Sequence, residues 1–257
     1  MKIALFSDVH ANLPALEACL KSLDQHNPDA IYCLGDLVGY NVWPNEVIQL
    51  IRMRGIPVIA GNYDQAIGFD KTGPGFSFQT DMEMDKGKVS FYYTSSIMKS
   101  QERAYLRKLP LHLNILFELN SIRFNLLLVH GSPRRIDEYV HLDFNELELY
   151  KMMEDAGADI MCYGHTHVPY YKCLSKKSSF GKRYRHAINI GSVGKPKDGT
   201  SQGCYVLLDI KDGSVGLNTE SIQVTFVRFD YDVEKAAKAV EDSPLSNEFA
   251  DMLRKGY

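Results

Sequence analysis

Short apolar runs recur along the chain, and most stop abruptly at glycine, asparagine, aspartate or histidine. KIALF opens the sequence with a strand pattern. Asn12 then stands as an N-cap, with Pro14 in the first turn and LPALEACLKSL at helical period. AIYCLG reads as a second strand, PNEVIQLIRMRG as a helix closed by Gly55, and IPVIAG as a third strand. This β-α-β-α-β order predicts a parallel sheet with crossover helices.

Residues 65–110 break the rhythm with KTGPGF, several aromatics and helical patterns around 86–98 and 100–108. Two readings stand side by side, a helical cap inserted over a site and a structural crossover. LHLNILFEL and IRFNLLLVHG flank Asn120-Ser121 as a hairpin. NELELYKMMEDAG is helical and DIMCYG is a buried strand. HAINIG, CYVLLDI and SIQVTFVRF read as successive antiparallel strands with turns at KPKDG and KDGS. VEKAAKAVE and PLSNEFADML are helical. With no repeat, linker or low-complexity stretch, the simplest organisation is one domain over 1–257, two packed sheets with helices outside.

Composition narrows the function classes. Hydrophobic residues make up 45% and charged residues 24%, an ordinary soluble balance. No apolar run approaches the ~18 residues that span a bilayer, so no membrane partner is expected. MKIALF is too short before Asp8 for a secretory signal, which points to the cytoplasm. The net charge of -3 lacks the basic excess of a general nucleic-acid binder, so nucleic acid is not an expected partner. Five cysteines without CxxC spacing read as reduced thiols, with Cys33 and Cys162 as core residues. Nothing in the sequence sets the oligomeric state.

The chemistry lies where the strands end. Asp8 and His10 follow KIALFS, Asp36 follows AIYCLG, and Asn62 follows IPVIAG. His130 follows NLLLV, and His165 and His167 follow DIMCYG. Singly, each has a bland reading as a turn, cap or hydrogen-bonded structural residue. Jointly, seven such residues fall at the same end of five predicted strands, where open α/β sheets bind ligands. Asp-x-His and His-x-His each put two side chains on one side of an extended strand end. A carboxylate shared by two ions would hold them about 3.5–4 Å apart. With Asp8 and Asp36 as the only carboxylates, such a centre stays positive and accepts phosphate. Mixed nitrogen and oxygen donors suit two divalent ions from among Mn, Fe, Zn, Co and Ni, with Mn favoured, over Ca.

The ordered set D-x-H (8–10), G-D (35–36), G-N-x-D (61–64), H-G (130–131) and G-H-x-H (164–167) resembles the calcineurin-like metallophosphoesterase superfamily. DVHANLPALEA, LGDLVGYN, VHGSP, GHTHVP and IGSVGKP are similar to its small bacterial and archaeal phosphoesterase branch. The resemblance implies an α/β fold, a four-layer α/β/β/α sandwich of two mixed β-sheets flanked by helices. It implies that Asp8, His10 and His167 hold one ion, that Asn62, His130 and His165 hold the other, and that Asp36 bridges them. Asn12 would lie close to substrate. The implied activity is hydrolysis of phosphodiester or phosphoanhydride bonds in small-molecule or nucleotide substrates, by attack of a hydroxide bound at the dinuclear centre.

Asp36, Asn62 and Tyr63 are the candidate catalytic residues, and Tyr63 departs from the family's G-N-H-[DE], which has histidine there. Tyr63 has three open readings: a donor to the leaving group, a surface packed against substrate, or a side chain pointing away. Without that histidine, Asp64 reads as a cap or turn residue. Arg134 and Lys197 are secondary phosphate-binding candidates, with solvated surface as the default for them and for Arg135 and Lys195. His141 and His186 read as structural, and Ser192 as a loop former. The alternatives are a phosphomonoesterase, a protein Ser/Thr phosphatase (disfavoured because GDLVGYN lacks the Asp-Arg of G-D-x-V-D-R-G) and a non-catalytic metal-binding scaffold.

Overall fold

Strands apolar on both faces need cover on both sides, and this requirement sets the layers. The computed structural model describes residues 1–71, 81–119, 122–178, 181–211 and 220–257. In β1 (Lys2–Phe6), Ile3 and Leu5 enter one core cluster while Ala4 and Phe6 enter another. In β5 (Ile160–Tyr163), Ile160 and Cys162 face the first of these, and Met161 and Tyr163 a third. Strand periodicity of two makes this split unavoidable.

The first sheet has the order β2-β1-β8-β9, adding β2 (Ala30–Cys33), β8 (Gly203–Ile210) and β9 (Ile222–Phe229). β1 runs parallel to β2 and antiparallel to β8. The second sheet has the order β3-β4-β5-β7-β6, built from β3 (His112–Leu119), β4 (Ile122–Val129), β6 (Tyr170–Ser178) and β7 (Gly181–Asn189) with β5. β4, β5 and β7 are parallel, and both outer pairings are antiparallel. Leu5, Leu126, Ile160, Ile188 and Leu208 fill the space between the sheets.

Helices α1 (Leu13–His26), α2 (Pro44–Met53) and α3 (Asn62–Gly68) cover the outer face of the first sheet. α6 (Glu146–Asp155) covers the second. α7 (Val233–Glu241) and α8 (Glu248–Lys255) form a smaller cluster beside Tyr40 and Trp43. This is the four-layer sandwich of two mixed sheets. Within 65–110 lie α4 (Asp81–Ile97) and α5 (Ser100–Leu106). Phe91, Met98 and Leu106 join the same core as α1. Asn45 at the start of α2 donates to the Ile97 carbonyl at 3.0 Å and accepts from Lys99 N–H at 2.8 Å. The Tyr40 N–H donates to Ser90 Oγ at 2.5 Å.

Three expectations need correction. IPVIAG is not a full strand: it makes one bridge, Cys33 to Val58, because Pro57 has no N–H for the ladder. HAINIG and CYVLLDI are not neighbours: β7 lies in the second sheet and β8 in the first, and the loop between them crosses the sandwich. YYKCLSKKS forms the unexpected edge strand β6, whose lysines suit an unpaired rim and hide its periodicity. The expected turns at Asn120-Ser121 and in KDGS, and most of KTGPGF, lie outside the described residues. All five cysteines are free thiols. Among the described residues no helix is long and apolar enough to cross a membrane.

Leu126→Ala, between the sheets, is expected to lower the unfolding free energy by about 2–5 kcal/mol in urea denaturation. Leu116→Ala, at a side chain 78% exposed on β3, should change it by less than about 0.5 kcal/mol.

Candidate metal centre

The loops that follow β1, β2, β4 and β5 are stitched to one another by main-chain hydrogen bonds. Asp8 N–H donates to Gly35 O at 3.0 Å and His10 N–H to Asp36 O at 2.9 Å. Gly164 N–H donates to His130 O at 2.9 Å. Holding side chains inward from these loops forces unusual backbone. Asp8, His10, Asp36, His165 and His167 all have positive φ, between 48° and 66°. Asp and His tolerate the left-handed region better than most residues, but each instance still costs about 1–2 kcal/mol. Two glycines make room for the carboxylates. A Cβ at Gly61 would lie 2.1 Å from Asp36 Oδ1, and one at Gly164 would lie 2.4 Å from Asp8 Oδ2.

The seven candidate ligands converge. Asp8, His10 and His167 form one group and Asp36, His130 and His165 another, with ligand atoms within 4.8 Å of each other inside each group. Asp36 Oδ2 faces both groups, 3.6 Å from His10 Nε2 and 3.4 Å from His130 Nε2. Asn62 Oδ1 lies 3.2 Å from His130 Nε2 and joins the second group.

Backbone carbonyls set the histidine tautomers. Nδ1 of His10 donates to Val38 O at 2.9 Å, that of His130 to Leu34 O at 2.8 Å, and that of His167 to Lys195 O. His165 is held by the backbone of Asp137. In neutral His10, His165 and His167, Nε2 is thereby left with a lone pair aimed inward, as metal-ligating histidines require. The consequence is a set of contacts with no proton between them. His10 Nε2 and His167 Nε2 are 3.2 Å apart, and Asp8 Oδ1 and His165 Nε2 are buried without hydrogen-bond partners. Lone pairs facing lone pairs in a buried space are unfavourable unless a cation lies among them. The donor set therefore fits divalent metal binding.

Electrostatics agree with this. His10 is pushed down to about 3, first by burial, against the pull of Asp36. His165 and His167 are held well below the usual histidine range by burial, then by neighbouring histidine and lysine charges. His130 differs. Burial opposes its charge, but Asp36 and then Asp8 outweigh burial and hold it up at about 10. Without metal, one proton on His130 stands in for positive charge. Asp64 is raised to about 7 by burial and then by Asp36.

The other expected residues are placed unevenly. Tyr63 is buried, with its ring edge-on to His10 at 5.4 Å and tilted on Tyr40 at 5.1 Å. Burial, then Tyr40, holds its phenol well above the usual range, and its Oη has no well-formed hydrogen bond. Asp64 is a cap, accepting Gly61 N–H at 3.0 Å and Leu37 N–H at 2.9 Å. Asn12 is fully buried and engaged, capping Ala15 N–H and donating to Gly194 O and Tyr231 Oη. These bonds give its amide a structural task in the loop after β1. Arg134 is exposed and paired with Glu138 and Glu148, so its charge is already answered. Lys197 is half-buried, and its charge reaches His165 and His167.

Two supporting residues, Tyr139 and Asn189, had no sequence signal. Tyr139 stacks on His165 at 4.2 Å and on His141 at 5.4 Å. Asn189 Nδ2 donates to Gly164 O and Thr166 Oγ1, fixing the loop that carries His165 and His167. Ser192 shapes its loop by donating to Asp8 O, and His186 pairs with Tyr171 Oη away from the centre.

A sequence model of the calcineurin-like phosphoesterase superfamily domain matches residues 1–213. The chain is 28% identical to an uncharacterized protein of Methanocaldococcus jannaschii, over 99% of this chain and 98% of that one. It is similar to the crystal structure of a metallophosphoesterase from Sphaerobacter thermophilus, with TM-score 0.71 and 28% identity, covering 100% of this chain and 99% of that one. A hypothetical protein from Pyrococcus horikoshii OT3 shares the fold, with TM-score 0.76 and 22% identity, covering 100% and 98%.

Because the His130 pKa is raised above its ordinary 6.5, its proton stabilises the metal-free fold fully below 6.5, and that contribution is lost as pH rises through about 10. Metal uptake must displace the same proton. Calorimetric titration with Mn2+ at several pH values between 6 and 8 is expected to show affinity rising about tenfold per pH unit. An affinity independent of pH would contradict a protonated His130. Gly61→Ala should abolish tight metal uptake by the same measurement, because the methyl group collides with Asp36.

Proposed function

The chain belongs to the calcineurin-like phosphoesterase superfamily, a family of metal-dependent phosphoesterases, and from that membership we propose that it hydrolyses phosphodiester or phosphoanhydride bonds of small-molecule or nucleotide substrates at a centre of two divalent ions. One observation carries the proposal. Around Asp36 Oδ2, lone pairs meet lone pairs where His10 faces His167, and Asp8 Oδ1 and His165 Nε2 are buried without hydrogen-bond partners. Asp8, His10 and His167 would hold one ion, Asn62, His130 and His165 the other, and Asp36 would serve both. Bound ions would supply Lewis-acid polarisation of phosphoryl oxygens and acidify water. Manganese is the favoured ion among those that mixed nitrogen and oxygen donors accept.

The chain's own residues do the rest. Val38, Leu34 and Lys195 carbonyls orient the imidazoles, and burial keeps His10 and His167 neutral. Asp8 and Asp36 are the only carboxylates among the candidate ligands, which leaves room for an anionic substrate. Tyr63 is a neutral phenol near the ligand layer that holds its proton tightly. It can offer a hydrogen bond but is a poor acid at neutral pH. A leaving group must then depart with little protonation. Aryl diesters and phosphoanhydrides meet that condition better than alkyl phosphomonoesters. The described part of 65–110 acts as a wall fastened to α2 and Tyr40.

The test is a metal-reconstituted screen over bis-aryl phosphates, aryl monophosphates, cyclic nucleotides and dinucleoside polyphosphates. Asp36→Asn should reduce turnover by at least about 100-fold. Absence of turnover with every metal would favour the non-catalytic scaffold. Tyr63→His should raise turnover of alkyl esters by about 10- to 100-fold and that of aryl esters by much less. Equal gains on both would sink the leaving-group argument.

A further inference from the structure

None of the seven candidate ligands lies after His167, yet the segment from Arg228 to Gly256 returns to the loops that carry them. Three of its contacts fall on the loop between β7 and β8. Arg228 pairs with Asp198, Gln202 Nε2 donates to Asp230 Oδ1 at 2.9 Å, and Gly199 N–H donates to Gly256 O at 2.8 Å. Gly256 is buried in left-handed backbone, φ 70°, and a Cβ there would lie 2.1 Å from Thr200 O. The same loop carries Lys195, for which the sequence suggests solvated surface but which is only 4% exposed. Its carbonyl accepts from His167 Nδ1.

Two more contacts fall on the loops after β1 and β2. Tyr231 Oη accepts from Asn12 Nδ2 at 3.3 Å, in the loop that holds Asp8 and His10. Phe249 is buried against Tyr40 with ring centroids 5.9 Å apart, and Tyr40 meets His10 edge-on at 4.8 Å. All of these contacts lead to the group of Asp8, His10 and His167. The other group has its supports elsewhere. His130 donates to Leu34 O, and His165 is held by the Asp137 backbone and stacks on Tyr139. Asn62 begins α3, whose start is bonded by Asp36 and Asp64.

A histidine ligates well only when its ring is held in place, and loss of such a support weakens metal binding about 10- to 100-fold. Tyr40 and the Lys195 carbonyl are such supports for His10 and His167. The terminal segment stands one contact further out and steadies both at once. Phe249 does so through Tyr40, and Gly256 through the loop of Lys195.

We infer that Phe249 and Gly256 are positioning residues for one ion of the pair, the one assigned to Asp8, His10 and His167. Helix α8 then sets the affinity of that half of the centre and leaves the other half alone. The inference rests on the two-ion reading above.

The test is calorimetric titration with Mn2+ in two single-site backgrounds. His165→Ala keeps the Asp8 group whole, and His167→Ala keeps the other. Phe249→Ala and Gly256→Ala act through different contacts. Each is expected to weaken Mn2+ about tenfold in the first background and by less than about twofold in the second. Equal losses in both backgrounds, which a merely structural role would give, overturn the inference, as does no loss in the first. If a variant fails to fold, Phe249→Leu, which keeps the core filled but removes the ring, takes its place. Electron paramagnetic resonance covers sites too weak to titrate. In the otherwise unaltered chain, at limiting Mn2+, the variants should replace the spin-coupled signal of a manganese pair by that of single ions. An unchanged pair signal counts against the inference. Both measurements read binding without turnover, and the two readings fail separately. Wild-type protein that takes up fewer than two Mn2+ defeats the two-ion reading. Two ions bound equally well with and without the terminal substitutions defeat only the inference.

Discussion

The Asp36 carboxylate is the contact on which the rest of the centre depends. Its Oδ1 accepts the Tyr63 N–H at 2.9 Å and so anchors the start of α3. Its Oδ2 faces His10 and His130. One buried side chain thus fixes where Asn62 sits and joins the two groups of imidazoles. Asp64 reinforces the junction from below by bonding the loops at 37 and 61. Gly61 is required because the carboxylate occupies the space a side chain would take. These three residues make GNYD the start of a helix aimed at the centre, where the apolar run before it suggests only a turn.

The arrangement is unfavourable until charge is supplied. Left-handed backbone at five of the ligands and lone pairs packed against one another both raise the energy of the metal-free fold. Cation binding relieves the second of these directly, so metal affinity and fold stability are linked. The proton on His130 is a partial substitute, one charge where the donor set has room for more.

Much of the candidate site was readable from the chain because its ligands stand in order just past strand ends, where the parallel sheet rule gathers them; their side-chain directions come from left-handed loop backbone and not from the strand period of two. The supports were less readable, for physical reasons. The tautomers of His10, His130 and His167 are fixed by carbonyls of Val38, Leu34 and Lys195, and a carbonyl leaves no mark in a sequence. Lys195 looked like surface because burial of a lysine depends on what folds over it. The motif position of Asn12 does not reveal that both ends of its amide are engaged, by the cap and by Gly194. Strand pairing also escaped where local patterns were silent. HAINIG and CYVLLDI have similar apolar patterns, and only the crossing of the loop between them assigns them to different sheets.

Each ligand group draws on both sheets. Asp8 and His10 come from the first and His167 from the second, and Asp36 and Asn62 from the first meet His130 and His165 from the second. The facing nitrogens of His10 and His167 are 157 residues apart in the chain. The first sheet is itself closed late, because β1 needs β8, which follows every strand of the second sheet in the chain. The candidate ligands therefore come together only when nearly the whole chain is available, so a truncated amino-terminal half carries the carboxylates without the set that surrounds them.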